Sequence, residues 1–326
     1  MGWLGTVARG LVGLAGIGVV AVAGGPRPRI DFERIEEPEV PELAALEGWL
    51  AAREAQVPDL RPDSEKKIVW ADPDQRARTE VALVYIHGFG ADRIEISPVP
   101  ENVAASLGAN LFSTRLRGHG RAIPDSMAEG TAEDWMTDTL EAIDVASRLG
   151  ERVVVIATST GGALAGWAAS GPRHDEIDAL VLISPNFGPA NPASVLLTGP
   201  WGRALTQAIL GDYREWEPDN EVVAAHWTTR QPSQCVVDMQ MTVDLARESA
   251  LEQIVIPTFA AYSTQDTVLN VDRLVEGIDR LGGDVERLVL GEVGDDSNHV
   301  IAGDACSPEQ TQPMSDALSA WLTKVL

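Results

Sequence analysis

The stretch from Val153 to Thr158 constrains the fold of this chain more strongly than any other part of it. Its sequence, VVVIAT, is a continuous run rich in β-branched residues. A run this short favours a strand that is buried on both faces of a sheet. The small-residue segment Thr160–Ala169 follows directly and is predicted as a helix. Because a sheet buried on both faces needs helices on both sides, the chain is predicted to be an α/β protein.

Strand-like and helix-like segments alternate on both sides of this run. Alternating strands and helices require right-handed crossovers, which produce a doubly wound, mostly parallel sheet. With 326 residues, 44% of them apolar, the chain is long enough to bury a sizeable core around such a sheet. Further strands are predicted at residues 81–87, 111–116, 179–184, 254–262 and 285–292, and further helices at 41–55, 98–107, 131–149, 271–281 and 314–325.

The alternation is interrupted between residues 186 and 251. This segment is helix-like, is divided by prolines and contains several tryptophans. An insertion of this kind between two core strands predicts a helical lid or cap over a site, the alternative being a helical insertion without a functional role. The predicted organisation is an N-terminal extension at 31–65, an α/β core at 66–185 and 252–326, and a lid at 186–251.

The first 30 residues differ in composition from the rest of the chain. Residues 1–25 contain one charged side chain, Arg9, and an apolar run from Leu11 to Val22 is followed by Ala21-Val22-Ala23. This pattern is typical of a signal peptide with a small-residue cleavage site, and an uncleaved membrane anchor is the alternative. The expected location is therefore exported, periplasmic or secreted, or membrane-anchored through the N-terminus.

Charge and cysteine content exclude several classes of partner and cofactor. The formal net charge of −24 repels phosphate backbones, so nucleic acid is not an expected partner. The expected partner is a neutral, apolar small-molecule substrate. The two cysteines, Cys235 and Cys306, form no metal-ligand motif, so neither a metal nor another cofactor is predicted. They are either one disulfide in an exported protein or two buried free thiols.

Ser159 is the candidate nucleophile. It lies in Ala157-Thr158-Ser159-Thr160-Gly161-Gly162, where the predicted strand turns directly into the predicted helix. Small residues at 157 and 161 relieve backbone crowding at such a corner, and the helix N-terminus favours a nearby anion. These are the features of a nucleophile elbow, in which the serine is exposed above the edge of the sheet.

A serine nucleophile needs a base, and the base needs an acid that orients it. Of the five histidines, His299 follows the last predicted core strand, which brings it to the same edge of the sheet as Ser159. Asp266 follows the preceding strand, so the order along the chain is Ser, Asp, His. The rival acids are Asp295 and Asp296, which are close to His299 in sequence.

The oxyanion of an acyl-transfer intermediate needs two fixed donors. The N–H of Thr160, directly after the nucleophile, is one candidate. The other is the N–H of Phe89 in His87-Gly88-Phe89-Gly90, where glycines allow close approach of the backbone. Substrate contacts are predicted from Gly88 and from Trp201, Trp216 and Trp227 of the lid.

With these motifs in place, the chain resembles the α/β-hydrolase superfamily from about residue 66 to the C-terminus. The resemblance is carried by HGFG at 87–90, RGHG at 117–120, ATSTGG at 157–162, and by Asp266 and His299. HGFG together with LRGHG looks like the monoacylglycerol lipase and carboxylesterase branch. The family usually has glycine where this chain has Ala157.

The resemblance implies a serine carboxylic ester hydrolase that needs no metal or organic cofactor. Its expected substrates are esters of short or medium acyl chains, or monoglycerides, cleaved through an acyl-enzyme intermediate. A thioesterase, lactonase or acyltransferase would use the same triad, and a catalytically silent binding protein of this fold is a further alternative.

Overall fold

The structure is a computed structural model that describes residues 24–326. The predicted signal peptide or anchor falls largely on residues 1–23, outside the described residues. From residue 24 onward, no helix is both long enough and apolar enough to span a bilayer.

The centre of the molecule is a seven-stranded sheet in the order β1-β3-β2-β4-β5-β8-β9. All neighbouring pairs are parallel except β1 and β3, which pair antiparallel. The predicted doubly wound, mostly parallel α/β sheet is confirmed. The strands are β1 (Lys67–Val69), β2 (Thr79–Ile86), β3 (Asn110–Ser113), β4 (Gly150–Thr158), β5 (Ala179–Ile183), β6 (Tyr213–Glu215), β7 (Arg230–Pro232), β8 (Thr258–Ser263) and β9 (Val285–Leu290).

Helices flank the sheet, and short 3₁₀ turns occur at Phe32–Arg34, Pro124–Glu129, Pro192–Leu196 and Leu251–Gln253. Thr131 caps the long third helix: its hydroxyl accepts the N–H of Asp134, whose carboxylate accepts the N–H of Thr131. The helices are α1 (Leu43–Glu54), α2 (Val99–Leu107), α3 (Ala132–Leu149), α4 (Thr160–Ala169), α5 (Gly202–Leu210), α6 (Glu221–His226), α7 (Cys235–Glu248), α8 (Val271–Asp279) and α9 (Pro308–Val325).

Strand β4 is buried on both faces because alternate side chains enter two separate apolar cores. Val153, Val155 and Ala157 belong to the core beneath α3 and α4. Val154 and Ile156 belong to the core on the opposite face, which α2 and α9 cover. The carboxyl end of β4 is thereby held rigidly at the edge of the sheet where the candidate site lies.

The chain between β5 and β8 carries α5, α6, α7 and the antiparallel hairpin β6–β7. Helix α7 packs against α4, the helix that begins directly after Ser159. The lid function of residues 186–251 stays a prediction, but this segment stands over the carboxyl edge of the sheet and contributes much of the wall of a cavity there.

Cys235 and Cys306 are free thiols in this structure. Burial raises the pKa of each thiol to about 12, which favours the protonated thiol at neutral pH. Among residues 24–326, no group of three or more His, Cys, Asp or Glu side chains is arranged to hold a metal ion.

Candidate active site

Ser159 occupies a sharp turn between β4 and α4. Its backbone has φ 52° and ψ −119°, in the positive-φ region that residues with a Cβ rarely adopt. The turn is possible because Gly161 packs against β2: a Cβ there would lie 2.4 Å from the Ile86 carbonyl oxygen. The turn lifts the Ser159 side chain out of the sheet and places it at the start of α4.

The structure brings Ser159, His299 and Asp266 into one hydrogen-bonded row. Ser159 Oγ lies 2.9 Å from His299 Nε2, and His299 Nδ1 lies 2.8 Å from Asp266 Oδ2. All three residues are buried, with exposed fractions of 6–8%. The row has the geometry in which a histidine accepts a serine proton while a carboxylate fixes the tautomer of the ring.

The second carboxylate oxygen of Asp266 is also fixed. Asp266 Oδ1 accepts the backbone N–H groups of Val268 and Leu269 at 2.8 and 2.9 Å. The rival acid Asp295 has a different place, since its Oδ2 accepts the backbone N–H groups of His299 and Val300. Asp295 therefore holds the histidine loop, while Asp266 contacts the imidazole itself.

The charges around His299 adjust its basicity. Burial lowers the pKa of His299, but the hydrogen bond and charge of Asp266, with Glu95 and Asp295 behind them, outweigh burial and raise the pKa above its ordinary value of 6.5. A raised pKa makes the neutral imidazole a stronger base towards the serine proton.

The predicted oxyanion donors come from two elements that meet at Ser159. Thr160 is the first residue of α4, so its N–H has no acceptor within the helix. Phe89 lies in the loop after β2 and, with Thr160, lines the cavity beside Ser159.

His87 fixes the loop that carries Phe89. Its Nε2 accepts the N–H of Leu116 at 3.1 Å, which leaves the proton on Nδ1, 2.8 Å from the Gly88 carbonyl oxygen. Burial lowers the pKa of His87, so the neutral ring that this pattern requires is the stable form.

The RGHG motif at 117–120 contributes His119 to an aromatic cluster behind the Phe89 loop. The ring of Phe89 packs edge-on against His119 and Trp135, with centroids 5.9 and 5.8 Å apart. His119 in turn contacts His87, so HGFG and RGHG form one buried unit behind the loop. The sequence alone does not predict this role, because the pairing of the two motifs depends on the parallel alignment of β2 and β3.

A cavity of about 780 Å³ opens beside Ser159 and His299. Of the predicted pocket residues, Trp216 and Trp227 line it. Trp201 lies at the start of α5 against the chain at Gly25 and Pro26, where its backbone N–H donates to the Pro26 carbonyl oxygen at 2.7 Å. Further apolar side chains in the cavity wall include Leu196, Leu197, Ile209, Val236, Met239 and Val268.

Gly88 faces the nucleophile itself. A Cβ built on Gly88 would lie 3.0 Å from Ser159 Cβ and 2.5 Å from Glu95 Oε1. Glu95, a buried acid at this point of the cavity wall, was not predicted from the sequence. The only signal in its surroundings was an acidic residue within an otherwise apolar segment, Ile94-Glu95-Ile96.

Known structures share this architecture at low sequence identity. A structure from work on LipS and LipT, two metagenome-derived lipolytic enzymes, aligns with a TM-score of 0.65 and 18% identity, covering 81% of this chain and 99% of the other. Monoacylglycerol lipase of Paleococcus ferrophilus aligns with a TM-score of 0.59 and 18% identity, covering 80% and 100%. The enol-lactonase of Burkholderia xenovorans aligns with a TM-score of 0.51 and 17% identity, covering 79% of this chain and 96% of the lactonase.

At the level of sequence, no curated protein matches this chain. The sequence profile of the alpha/beta hydrolase family, by contrast, matches residues 83–310, well over half of the chain. This range includes Phe89, Ser159, Asp266 and His299. The chain therefore belongs to the α/β hydrolase family.

Proposed function

We propose that this protein is a serine esterase that cleaves carboxylic esters through an acyl-enzyme intermediate. The observation that carries the proposal is the hydrogen-bonded row from Ser159 through His299 to Asp266. Ser159 Oγ attacks the ester carbonyl carbon while His299 Nε2 accepts its proton, and the N–H groups of Phe89 and Thr160 hold the oxyanion. His299 then protonates the departing alkoxide and activates the water that releases the acid.

The cavity favours a small, neutral, apolar ester. Most of its exposed wall is apolar, with aliphatic side chains, Trp216 and Trp227 among the lining residues, and about 780 Å³ is ample for a short or medium acyl chain. Structural neighbours include two monoacylglycerol lipases and Est1E of Butyrivibrio proteoclasticus, which has ferulic acid bound. Monoglycerides and short to medium acyl esters are accordingly the proposed substrates.

A second candidate is cleavage of a lactone, thioester or another acyl donor on the same triad. The likeness to an enol-lactonase supports this alternative. In a lactone the leaving oxygen remains attached to the acyl group, so the chemistry at Ser159 is the same. The distinction lies in the shape of the cavity and is decided by comparing substrates.

The test is turnover of p-nitrophenyl acetate, butyrate and octanoate, with a monoglyceride, a lactone and a thioester of matched acyl length. We expect the carboxylic esters to give the highest kcat/KM, and we expect Ser159→Ala to abolish turnover. Equal release of nitrophenol by wild type and Ser159→Ala would refute the assignment of Ser159. Preference for the lactone or thioester would favour the second candidate.

For the N-terminus we propose export or membrane anchoring by residues 1–30. The support is the apolar run and small-residue site in the sequence. N-terminal sequencing of the protein recovered from the membrane and from the exported fraction tests this proposal, since a chain in the cytoplasm that begins at Met1 would contradict it.

A further inference from the structure

Glu95 is a buried carboxyl group in the wall of the cavity, outside the Ser159–His299–Asp266 row. Its exposed fraction is 3%. Glu95 Oε2 accepts two hydrogen bonds, from the backbone N–H of Gly88 at 2.7 Å and from the hydroxyl of Tyr85 at 2.8 Å. Burying a carboxyl group is costly, so its position next to the nucleophile calls for a role.

Glu95 contacts the loop that carries Phe89 directly, and it reaches the end of β4, before Ser159, through the hydroxyl of Tyr85. The Gly88 N–H that it holds is one peptide unit before the N–H of Phe89. The Tyr85 hydroxyl also lies 3.3 Å from Thr158 Oγ1, in the residue before Ser159. Because burial and the nearby Glu95 raise the pKa of Tyr85 well above its ordinary value, Tyr85 stays protonated and donates to the carboxyl group.

We propose that Glu95 is a positioning residue: its carboxylate holds the His87–Gly88 peptide, one unit before the N–H of Phe89, beside the nucleophile turn, and it provides a second negative charge facing His299. The inference rests on the proposed function, because it assigns Glu95 a part in the same acyl-transfer step. Its first effect is geometric, keeping the N–H of Phe89 aimed at the position of the oxyanion. Its second effect is electrostatic, stabilising the imidazolium that forms as Ser159 attacks.

The electrostatic effect depends on the groups that surround Glu95 and His299. Three groups face Glu95: Tyr85 from β2, Asp92 from the same loop as Glu95, and His299 from the loop after β9. The imidazole of His299 also faces Asp266, from the loop after β8, and Asp295, from its own loop. Burial raises the pKa of Glu95, and the Gly88 and Tyr85 hydrogen bonds oppose that rise without cancelling it. Glu95 therefore supports His299 only above its own raised pKa, where it is ionised.

Two variants separate the geometric effect from the electrostatic one. Glu95→Ala removes both, and we expect a fall in kcat of about 10²-fold, as for loss of an oxyanion donor, with a smaller change in KM. Glu95→Gln keeps an oxygen that can accept the Gly88 N–H, so kcat at its optimum should stay within about tenfold of wild type. Because Glu95→Gln removes the negative charge facing His299, its acid limb of kcat/KM should move to lower pH.

Glu101→Gln is the matched control. It removes the same charge from α2, where the carboxylate accepts a hydrogen bond from Ser97 Oγ away from the cavity. We expect its pH profile and kcat to equal those of wild type. Thermal unfolding of all variants reports any loss of stability separately from catalysis.

Three outcomes are distinguishable. A fall in kcat for Glu95→Ala, restored by Glu95→Gln with a shifted acid limb, supports the proposal. Wild-type kcat and pH profile in Glu95→Ala, with or without a lower Tm, would overturn it and make Glu95 a structural residue. If the wild-type protein neither turns over esters nor reacts with a fluorophosphonate at Ser159, the proposed function fails instead.

Discussion

Ser159 stores backbone strain where the chemistry is proposed to occur. A residue held at positive φ costs of order 1–3 kcal/mol, and such conformations persist only when the surrounding structure enforces them. Two contacts hold the positive φ of Ser159 in place. Gly161 packs closely against β2, and the Ser159 N–H donates to the Ile183 carbonyl oxygen at 3.0 Å. The serine hydroxyl is thus presented to His299 without any movement of the backbone.

Loss of the acid in the row should disable the base. Asp266→Asn removes the charge that holds His299 in the tautomer with its proton on Nδ1, and we expect kcat to fall by about 10⁴-fold. Steady-state kinetics with p-nitrophenyl butyrate measures this. Asp279→Asn, which loses an exposed ion pair with Arg287, is the control and should keep wild-type activity. A similar loss in both variants would argue against a special role for Asp266.

The pH dependence follows from the raised pKa of His299. The base must be neutral to accept the Ser159 proton, so kcat/KM should rise as the pH increases through that pKa, above 6.5. Rates measured between about pH 5 and 9 at constant ionic strength test this. A profile that is flat throughout, or that rises entirely below 6.5, would contradict the charge arrangement around His299.

At this scale the sequence predicted the residues that follow strands but missed those placed by packing. Ser159, Asp266 and His299 each follow a predicted strand, and parallel strands bring their carboxyl ends to one edge. Glu95 lies in a loop, and its burial depends on the Tyr85 hydroxyl and the Gly88 N–H, contacts that no local pattern reveals. Trp201 is placed by its contact with Pro26, far away in sequence.

At the scale of elements, the unit formed by β4, the turn and α4 positions the site. The predicted helix at 160–169 has the bounds of α4, and most other predicted core elements agree with the structure to within a few residues. Two features were not predicted. One is the antiparallel edge strand β1, which has three residues, and the other is the hairpin β6–β7. Both are too short for hydrophobic periodicity to detect.

Two glycines on helices should respond oppositely to alanine. Gly161→Ala would place a methyl group 2.4 Å from the Ile86 carbonyl oxygen, a backbone atom, and we expect destabilisation of about 1–3 kcal/mol with reduced activity. Gly48→Ala, at an exposed position of α1 where the added Cβ meets no atom within 4 Å, should stabilise the fold by about 0.5–1 kcal/mol through helix propensity. Denaturant unfolding compares the two, and equal effects would contradict the close packing of α4 on β2.

At the scale of the whole molecule, the net charge of −24 surrounds an apolar cavity. Such a negative electrostatic field attracts cations and repels anions. It extends over about one Debye length, which is about 30 Å at an ionic strength of 0.01 M and about 3 Å at 1 M. If the proposed function holds, the charge would select among soluble esters before they reach Ser159, and the cavity wall would select by apolar contact.

Salt should change the apparent affinity for charged esters in opposite directions. With matched butyrate esters, added salt is expected to raise KM severalfold for a cationic choline ester and to lower it for an ester with an anionic alcohol. KM for a neutral ester should change little. The measurement is KM at low salt and at about 0.5 M sodium chloride. Parallel changes for all three esters would mean that salt acts on the enzyme itself.

The central claim, that Ser159 is the activated nucleophile, is tested most directly by covalent labelling. The folded protein is incubated with a fluorophosphonate, and the adduct is located by peptide mass spectrometry. We predict one adduct, on Ser159, that is lost in Ser159→Ala and forms far more slowly in Asp266→Asn. An adduct on any other serine, or none on folded wild-type protein, would contradict the account.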